Sequence, residues 1–336
     1  MIDVRTYGAL GNGSNDDITA INLCLQENSV VVIHNGIFII NSSILMPSNT
    51  TLYLKNCVVK LGNSKFDNVI RNENQAGNVN IKVIGLGNVE LNQNAANNND
   101  TSARTTWGVL NSNSFHYLAV FFCNVVNFEL SGLYINEYCA WSTLIQRCSN
   151  GVIKDIWINY TTGIANQDGL DIGHGSHDIE ISNIQGRSGD DFLAIVSWGD
   201  GGFVNRDYMG GDTYNLTFNN IYPYKAGVNV MRVLAGDGGT IKDITISGLK
   251  CNLSSYALLS IGADTYPTTP PTNDDIANIT IDDAYLGAMT QTYDVLRLYS
   301  PCSNFFITNL VNDSGKNLID TNRTPENIWV NGIQYY

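Results

Sequence analysis

Two short apolar strand spellings alternate along most of this 336-residue chain, and that alternation limits its fold more than any other feature. One spelling recurs as Phe128-Glu129-Leu130, Ile179-Glu180-Ile181, Leu216-Thr217-Phe218, Ile244-Thr245-Ile246 and Ile279-Thr280-Ile281. The other falls between them, as Leu170-Asp171-Ile172, Leu193-Ala194-Ile195, Val228-Asn229-Val230, Leu258-Leu259-Ser260-Ile261 and Val295-Leu296-Arg297-Leu298. Each returns after roughly two to three dozen residues, the length of one coil in a stacked solenoid. Coils of that length built from strands alone predict an all-β chain. The expected fold is a single-domain right-handed parallel β-helix with alternate side chains inside and outside.

No domain boundary interrupts the pattern, so residues 1–336 are read as one β-helix domain. Residues 1–30 are expected to supply an N-terminal strand and a cap helix. Ile18, Ile21 and Leu25 recur at helical spacing behind Ser14-Asn15-Asp16-Asp17, a candidate capping box. The spacing predicts a helix over 15–28 that covers the exposed strand edges at that end. The polar residues 93–116 are expected to form a long surface loop, and Pro267 to Pro271 a second loop.

Asn makes up roughly one residue in eight, well above ordinary usage. Asn suits tight turns and stacks in amide ladders. The net charge of −13 argues against nucleic acid and anionic membrane as partners. Seven scattered cysteines without metal-type spacing read as small core residues. No charged and then apolar leader precedes Ile2, and no apolar run reaches membrane-spanning length. The chain is therefore expected in a cytoplasm, on a phage virion, or outside the cell with its signal trimmed.

The chemistry concentrates between Asn166 and Ile195. Aligning Leu170-Asp171-Ile172 with Leu193-Ala194-Ile195 sets Asp168 level with Asp191. Neighbouring coils lie about 4.8 Å apart, so those acids become neighbours on one face. Like charges at that spacing repel and raise a pKa, a cost expected at functional sites. Asp168, Asp190 and Asp191 are thus the candidate catalytic set. Either acid alone could be a turn or ladder residue. Asp171 reads equally as ladder or site.

Four candidates are assigned to substrate: Asp171, Arg232, His174 and Trp198. Arg232 stands on a strand of the same spelling as the one carrying Asp171, and other bases nearby, Arg187 and Lys225, do not. His174 is placed one coil from Ser197 and two from Arg232, as a turn residue or a substrate contact. Trp198 follows the Asp191 strand, where it could pack or offer a sugar-stacking face.

Ile2-Asp3-Val4, Tyr7-Gly8-Ala9 and Asp16-Asp17-Ile18 resemble the N-terminal signature of the pectate-lyase-like β-helix superfamily. Phe122-Cys123-Asn124-Val125, Trp141, Asn166-Gln167-Asp168-Gly169 and Gly189-Asp190-Asp191 resemble the polygalacturonase family, glycoside hydrolase family 28, over roughly residues 1–240. That resemblance implies hydrolysis of a polysaccharide or oligosaccharide with inversion, Asp190 as general acid, and Asp168 and Asp191 activating water. An inverting glycosidase needs one protonated carboxyl and one ionised carboxylate on opposite faces of the sugar. The chain departs from the family pattern at Met209-Gly210-Gly211-Asp212, where Gly-His-Gly is expected. It departs again at Leu234, which stands where the family has a Lys. The literal Gly173-His174-Gly175 lies a coil too early to supply the missing motif.

A hydrolase of this kind is expected to use neither metal nor cofactor. A polysaccharide lyase is the alternative, with calcium held by Asp168, Asp171, Asp190 and Asp191 and Arg232 as base. A phage tailspike-type glycan-binding or depolymerase protein is another. The expected assembly is a monomer or a homotrimer.

Overall fold

The computed structural model describes residues 1–98, 118–161, 163, 166–198, 210–262, 269–321 and 325–336. Two compact units divide the chain, Met1–Gln167 and Asp168–Tyr336. Each is built of parallel β-helix coils.

In the first unit the long strands Val30–Ile40, Thr50–Leu61, Asn78–Asn92, Val125–Asn136 and Ser149–Asn159 pair in parallel in chain order. A second sheet joins Ile44–Met46, Ile70–Asn72, Val120–Cys123 and Thr143–Gln146. The register stacks Val31, Leu52, Val83, Leu130 and Ile153 in one buried column. Period-2 alternation puts that column inside because one face of every strand is apolar.

The second unit repeats the plan. Its long strands His177–Arg187, Thr213–Ala226, Ile241–Ser254, Ile276–Met289, Ser303–Asn312 and Glu326–Val330 stack Ile181, Phe218, Ile246, Ile281, Ile307 and Val330. Its short strands are Leu170–Gly173, Leu193–Trp198, Asn229–Gly236, Ala257–Ile261, Leu296–Leu298 and Ile319–Thr321. Burying each such aliphatic side chain contributes about 1.5–3 kcal/mol.

The abundance of Asn has a structural cause. Asn56, Asp155, Asn183, Asn220, Asp283 and Asn309 each hold a left-handed φ in the middle of a long strand. Asn and Asp tolerate that conformation better than other non-glycine residues. A second set near the strand starts forms amide ladders. Asn278 donates to Asp243 at 2.9 Å, Asn304 to Asn278 at 3.1 Å and Asn327 to Asn304 at 2.7 Å. All seven cysteines are buried and none is in a disulfide, as expected of core residues.

The N-terminal region corrects several expectations. The helix spans Ile18–Glu27, starting three residues later than the expected 15–28. Its buried stripe, Ile18, Ile21, Cys24 and Leu25, lies against the first coil. Residues Asn12–Asp16 form a strand, and Val4–Tyr7 a 3-10 turn. No capping box forms. The Asp17 carboxylate instead accepts from the Leu10 and Gly11 backbone N–H groups, at 2.6 and 3.0 Å.

The expected 93–116 loop begins inside the fold. Gln93, Asn94, Ala95 and Asn98 are buried, with a helical turn at Ala95–Asn98. Their amides serve the backbone: Gln93 accepts from the Cys139 N–H at 2.8 Å and Asn94 donates to the Leu61 carbonyl at 3.1 Å. Residues 99–116 lie outside the described residues, as does part of the Pro267 to Pro271 stretch.

Candidate active site

Every candidate catalytic and substrate residue belongs to the second unit. The alignment drawn from the sequence is the observed register. Leu170, Asp171 and Ile172 pair with Leu193, Ala194 and Ile195, and these with Met231, Arg232 and Val233. The flanking residues of each triplet are buried, so Asp171, Ala194 and Arg232 share the outer face of the short-strand sheet. That column continues through Ser260 to Arg297.

Three residues upstream, the same register sets Asp168, Asp191 and Asn229 in a second column. The Gly169 N–H donates to the Asp191 carbonyl at 2.9 Å and the Leu170 N–H to that of Phe192, also at 2.9 Å. Glycine is required at 169, because a Cβ there would stand 2.2 Å from the Phe192 carbonyl oxygen. Asp190 precedes Asp191, and its carbonyl accepts from the Val228 N–H on the next rung at 3.1 Å.

The acids interact as one cluster. Burial raises the Asp168 carboxyl well above the usual range, and the charges of Asp171, Asp190 and Asp191 push it further, against the pull of Arg232. Burial likewise raises Asp171, with Asp191 and Asp190 adding to the effect. Asp191 is raised by burial but restrained by Arg232, by two hydrogen bonds from Asn229 and by Arg297. Asp191 is therefore the member best supported as an anion, while Asp168 and Asp171 favour holding protons. Three polar atoms of the cluster are sealed from solvent without a protein partner: Asp168 Oδ1, Asp171 Oδ1 and Arg232 Nε.

Two neighbours of the cluster were not singled out from sequence. Asn229 donates its backbone N–H and its Nδ2 to Asp191 Oδ1, at 2.9 and 2.7 Å. Extending the Asp168–Asp191 alignment one coil further lands on Asn229, so the signal was present. Arg297 sits two rungs beyond Arg232 in the same column. Only the full rung register places it there.

The structure separates two candidates from the group. His174 directly follows its strand with a left-handed φ of 51° and is 4% exposed. The residue two rungs from Asp171 is Arg232, and Ser197 pairs with Ala235. His174 is therefore three positions along from the Arg232 column, not two coils beneath it. Trp198, at the end of its strand, is buried, about as deeply as Asp171.

Residues 62–212 match the family model of glycosyl hydrolases family 28. That span contains Asp168, Asp171, Asp190 and Asp191 and stops short of Arg232. The resemblance carried by the paired Asp motifs is borne out over it. Two solved structures share the fold along nearly the whole chain. An exopolygalacturonase from Thermotoga maritima is 15% identical, with a TM-score of 0.67, over 99% of this chain and 92% of its own. A family 28 exopolygalacturonase from Yersinia enterocolitica is 13% identical, with a TM-score of 0.63, over 99% and 79%. A stretch of 86 residues, 24% of this chain, is 40% identical to the pre-neck appendage protein of Bacillus phage B103. The match spans only 10% of that phage protein's length.

Proposed function

We propose that the chain is a glycosidase that hydrolyses a polysaccharide or oligosaccharide by an inverting acid/base mechanism. The gathering of Asp168, Asp171, Asp190 and Asp191 on adjacent rungs, with Arg232 on the same face, carries this reading. Hydrolysis with inversion needs a carboxyl that delivers a proton to the leaving oxygen and a carboxylate that takes one from water. Crowded carboxylates divide those roles because they cannot all ionise together. Asp191, whose charged form Asn229 and Arg232 favour against burial, takes the water's proton. Asp168 helps orient that water. Asp190 is the acid by its place in the Gly-Asp-Asp motif. Arg232 offsets the negative charge and orients the sugar, since its guanidinium stays charged and offers a planar fork.

Reducing-end release from a panel of plant and bacterial glycans tests the reading. New reducing ends from at least one glycan, lost in Asp191→Asn, are expected. An unsaturated product absorbing in the near ultraviolet would indicate elimination, and no release from any glycan would remove the enzymatic reading.

The phage match supports a second setting for the same chemistry, as the glycan-cleaving part of a larger virion appendage. Sedimentation of the chain distinguishes a monomer from the trimer expected in that setting.

A further inference from the structure

The long strands of the first unit turn a corner partway along their length, and the corner is wider on some rungs than on others. Val32, Tyr53 and Ile84 pair before it, and Ile37, Val58 and Glu90 pair after it. The first two strands use four residues to pass between those columns, and the third uses residues 85–89. The next two strands pass from Ser131 to Tyr134 and from Lys154 to Trp157, with only Gly132-Leu133 and Asp155-Ile156 between. A wide corner thus sits directly on a narrow one. Gly85 and Gly132 permit the step, because a Cβ on either would stand 1.9 or 2.4 Å from the other's carbonyl oxygen. Extra residues in one strand of a pair bend it and re-aim its side chains.

The step encloses a pocket of about 480 Å³, within the range of about 300–1,000 Å³ usual for small-ligand sites. Its floor is apolar, with Cys57, Val89 and Leu133 buried. Its polar lining is Asn88, Glu90, Tyr134 and Asp155, which bring two carboxylates and no cation. Amides on the flanking strands hold this lining in place. Glu90 Oε1 accepts from Asn92 Nδ2 at 2.7 Å and from Asn136 Nδ2 at 2.9 Å. Asn159 Nδ2 donates to the Tyr134 hydroxyl at 3.0 Å and to Asn136 Oδ1 at 2.8 Å. Both amides on Glu90 go to the same oxygen, and among the described residues none donates to Oε2. That oxygen remains an acceptor for what enters the pocket.

Trp157 pairs with Tyr134 on the next rung and is 44% exposed. Adjacent rungs lie about 4.8 Å apart, so the indole stands at the mouth of the pocket. A sugar matches both features. The C–H face of its ring packs on an aromatic side chain, and its hydroxyls donate to carboxylate and amide oxygens. Two carboxylates without a cation repel an acidic sugar, so the fit is to a neutral one.

We propose that this pocket binds one or two units of a neutral saccharide, with Glu90 and Asn88 taking hydroxyls and Trp157 the face of a ring. The site belongs to the long-strand sheet of the first unit, whereas the acid cluster belongs to the short-strand sheet of the second. It does not depend on the glycosidase reading, and it holds a glycan without cutting it.

Calorimetric titration of the full chain tests the proposal. The probes are neutral oligomers of glucose, mannose, galactose and xylose, a few units long, beside galacturonate oligomers of the same lengths. At least one neutral series is expected to bind, and Trp157→Ala to weaken it by about tenfold or more. Trp157→Phe keeps a ring and should retain part of the affinity, with the melting temperature of either variant close to that of the wild type. Glu90→Gln keeps the shape and loses the charge. It should weaken the neutral series and narrow the gap between neutral and acidic oligomers. Asp191→Asn should leave the neutral binding as it is. No binding of any neutral series overturns the proposal, as does affinity unchanged in both Trp157→Ala and Glu90→Gln. Binding lost in Asp191→Asn but kept in Trp157→Ala places the sugar at the acid cluster and overturns it as well.

Discussion

Asn229 gives both its backbone N–H and its side-chain amide to one oxygen of Asp191, at 2.9 and 2.7 Å. The two bonds oppose the effect of burial and favour the charged carboxylate. Asn229→Ala removes the side-chain bond and keeps the backbone one. A hydrogen bond to a charged group is worth about 1.5–3 kcal/mol, so kcat/KM should fall roughly ten- to a hundredfold. Losing that bond raises the Asp191 pKa, so the acidic limb of the kcat/KM profile should move to higher pH. An unmoved limb would show that Asp191 is not the group setting it.

Asp171 offers a test on stability that needs no substrate. Its carboxyl is raised well above the usual range by burial and by Asp191 and Asp190. The folded state therefore holds this proton more tightly than the unfolded state. Its contribution is most favourable below the ordinary Asp range and is lost as pH rises from there to the folded pKa. Asp171→Asn should raise the melting temperature at pH 7 and change it less at pH 4. The gain is about 1.4 kcal/mol for each tenfold difference in proton affinity between the two states. A lower melting temperature at pH 7 would mean the charged form is stabilised after all.

Much of this architecture was legible in the residues. Strand positions and their register follow from Leu170-Asp171-Ile172 and Leu193-Ala194-Ile195, because a slip of one residue would expose the whole apolar set. The column of acids was legible for the same reason. What escaped depended on partners distant in sequence. Asp17 does not cap its helix because the Leu10 and Gly11 N–H groups compete for the carboxylate. Gln93 and Asn94 look like loop residues until the backbone groups they satisfy at Cys139 and Leu61 are known. Trp198 and His174 sit beside the acids in sequence, yet both are buried at or just past the end of their strands.

The stacked core should be sensitive to truncation wherever a column is continuous. Ile195 is fully buried between Ile172 and Val233. Ile195→Ala should cost about 2–5 kcal/mol, from lost transfer energy and the cavity left behind. Denaturant unfolding measures it. A loss under 1 kcal/mol would mean the rungs collapse onto the gap.

Arg232→Ala should lower kcat/KM at least thirtyfold, about 2 kcal/mol, with folding intact. Its Nε is buried without a partner and its charge steadies Asp191, so the variant loses both a substrate contact and support for the anion. Arg232→Lys should recover only part, because the planar fork is gone. Full activity in the Ala variant would remove Arg232 from the site.

The most direct test follows the anomeric configuration of the freshly cut end by NMR, on whichever glycan the wild-type chain cleaves, beside Asp190→Asn and Asp191→Asn. A carboxyl that protonates the leaving oxygen and a carboxylate that activates water must yield the inverted anomer, and each variant must lose most of the rate. The retained anomer, an unsaturated sugar, or near-normal turnover in either variant would contradict the account.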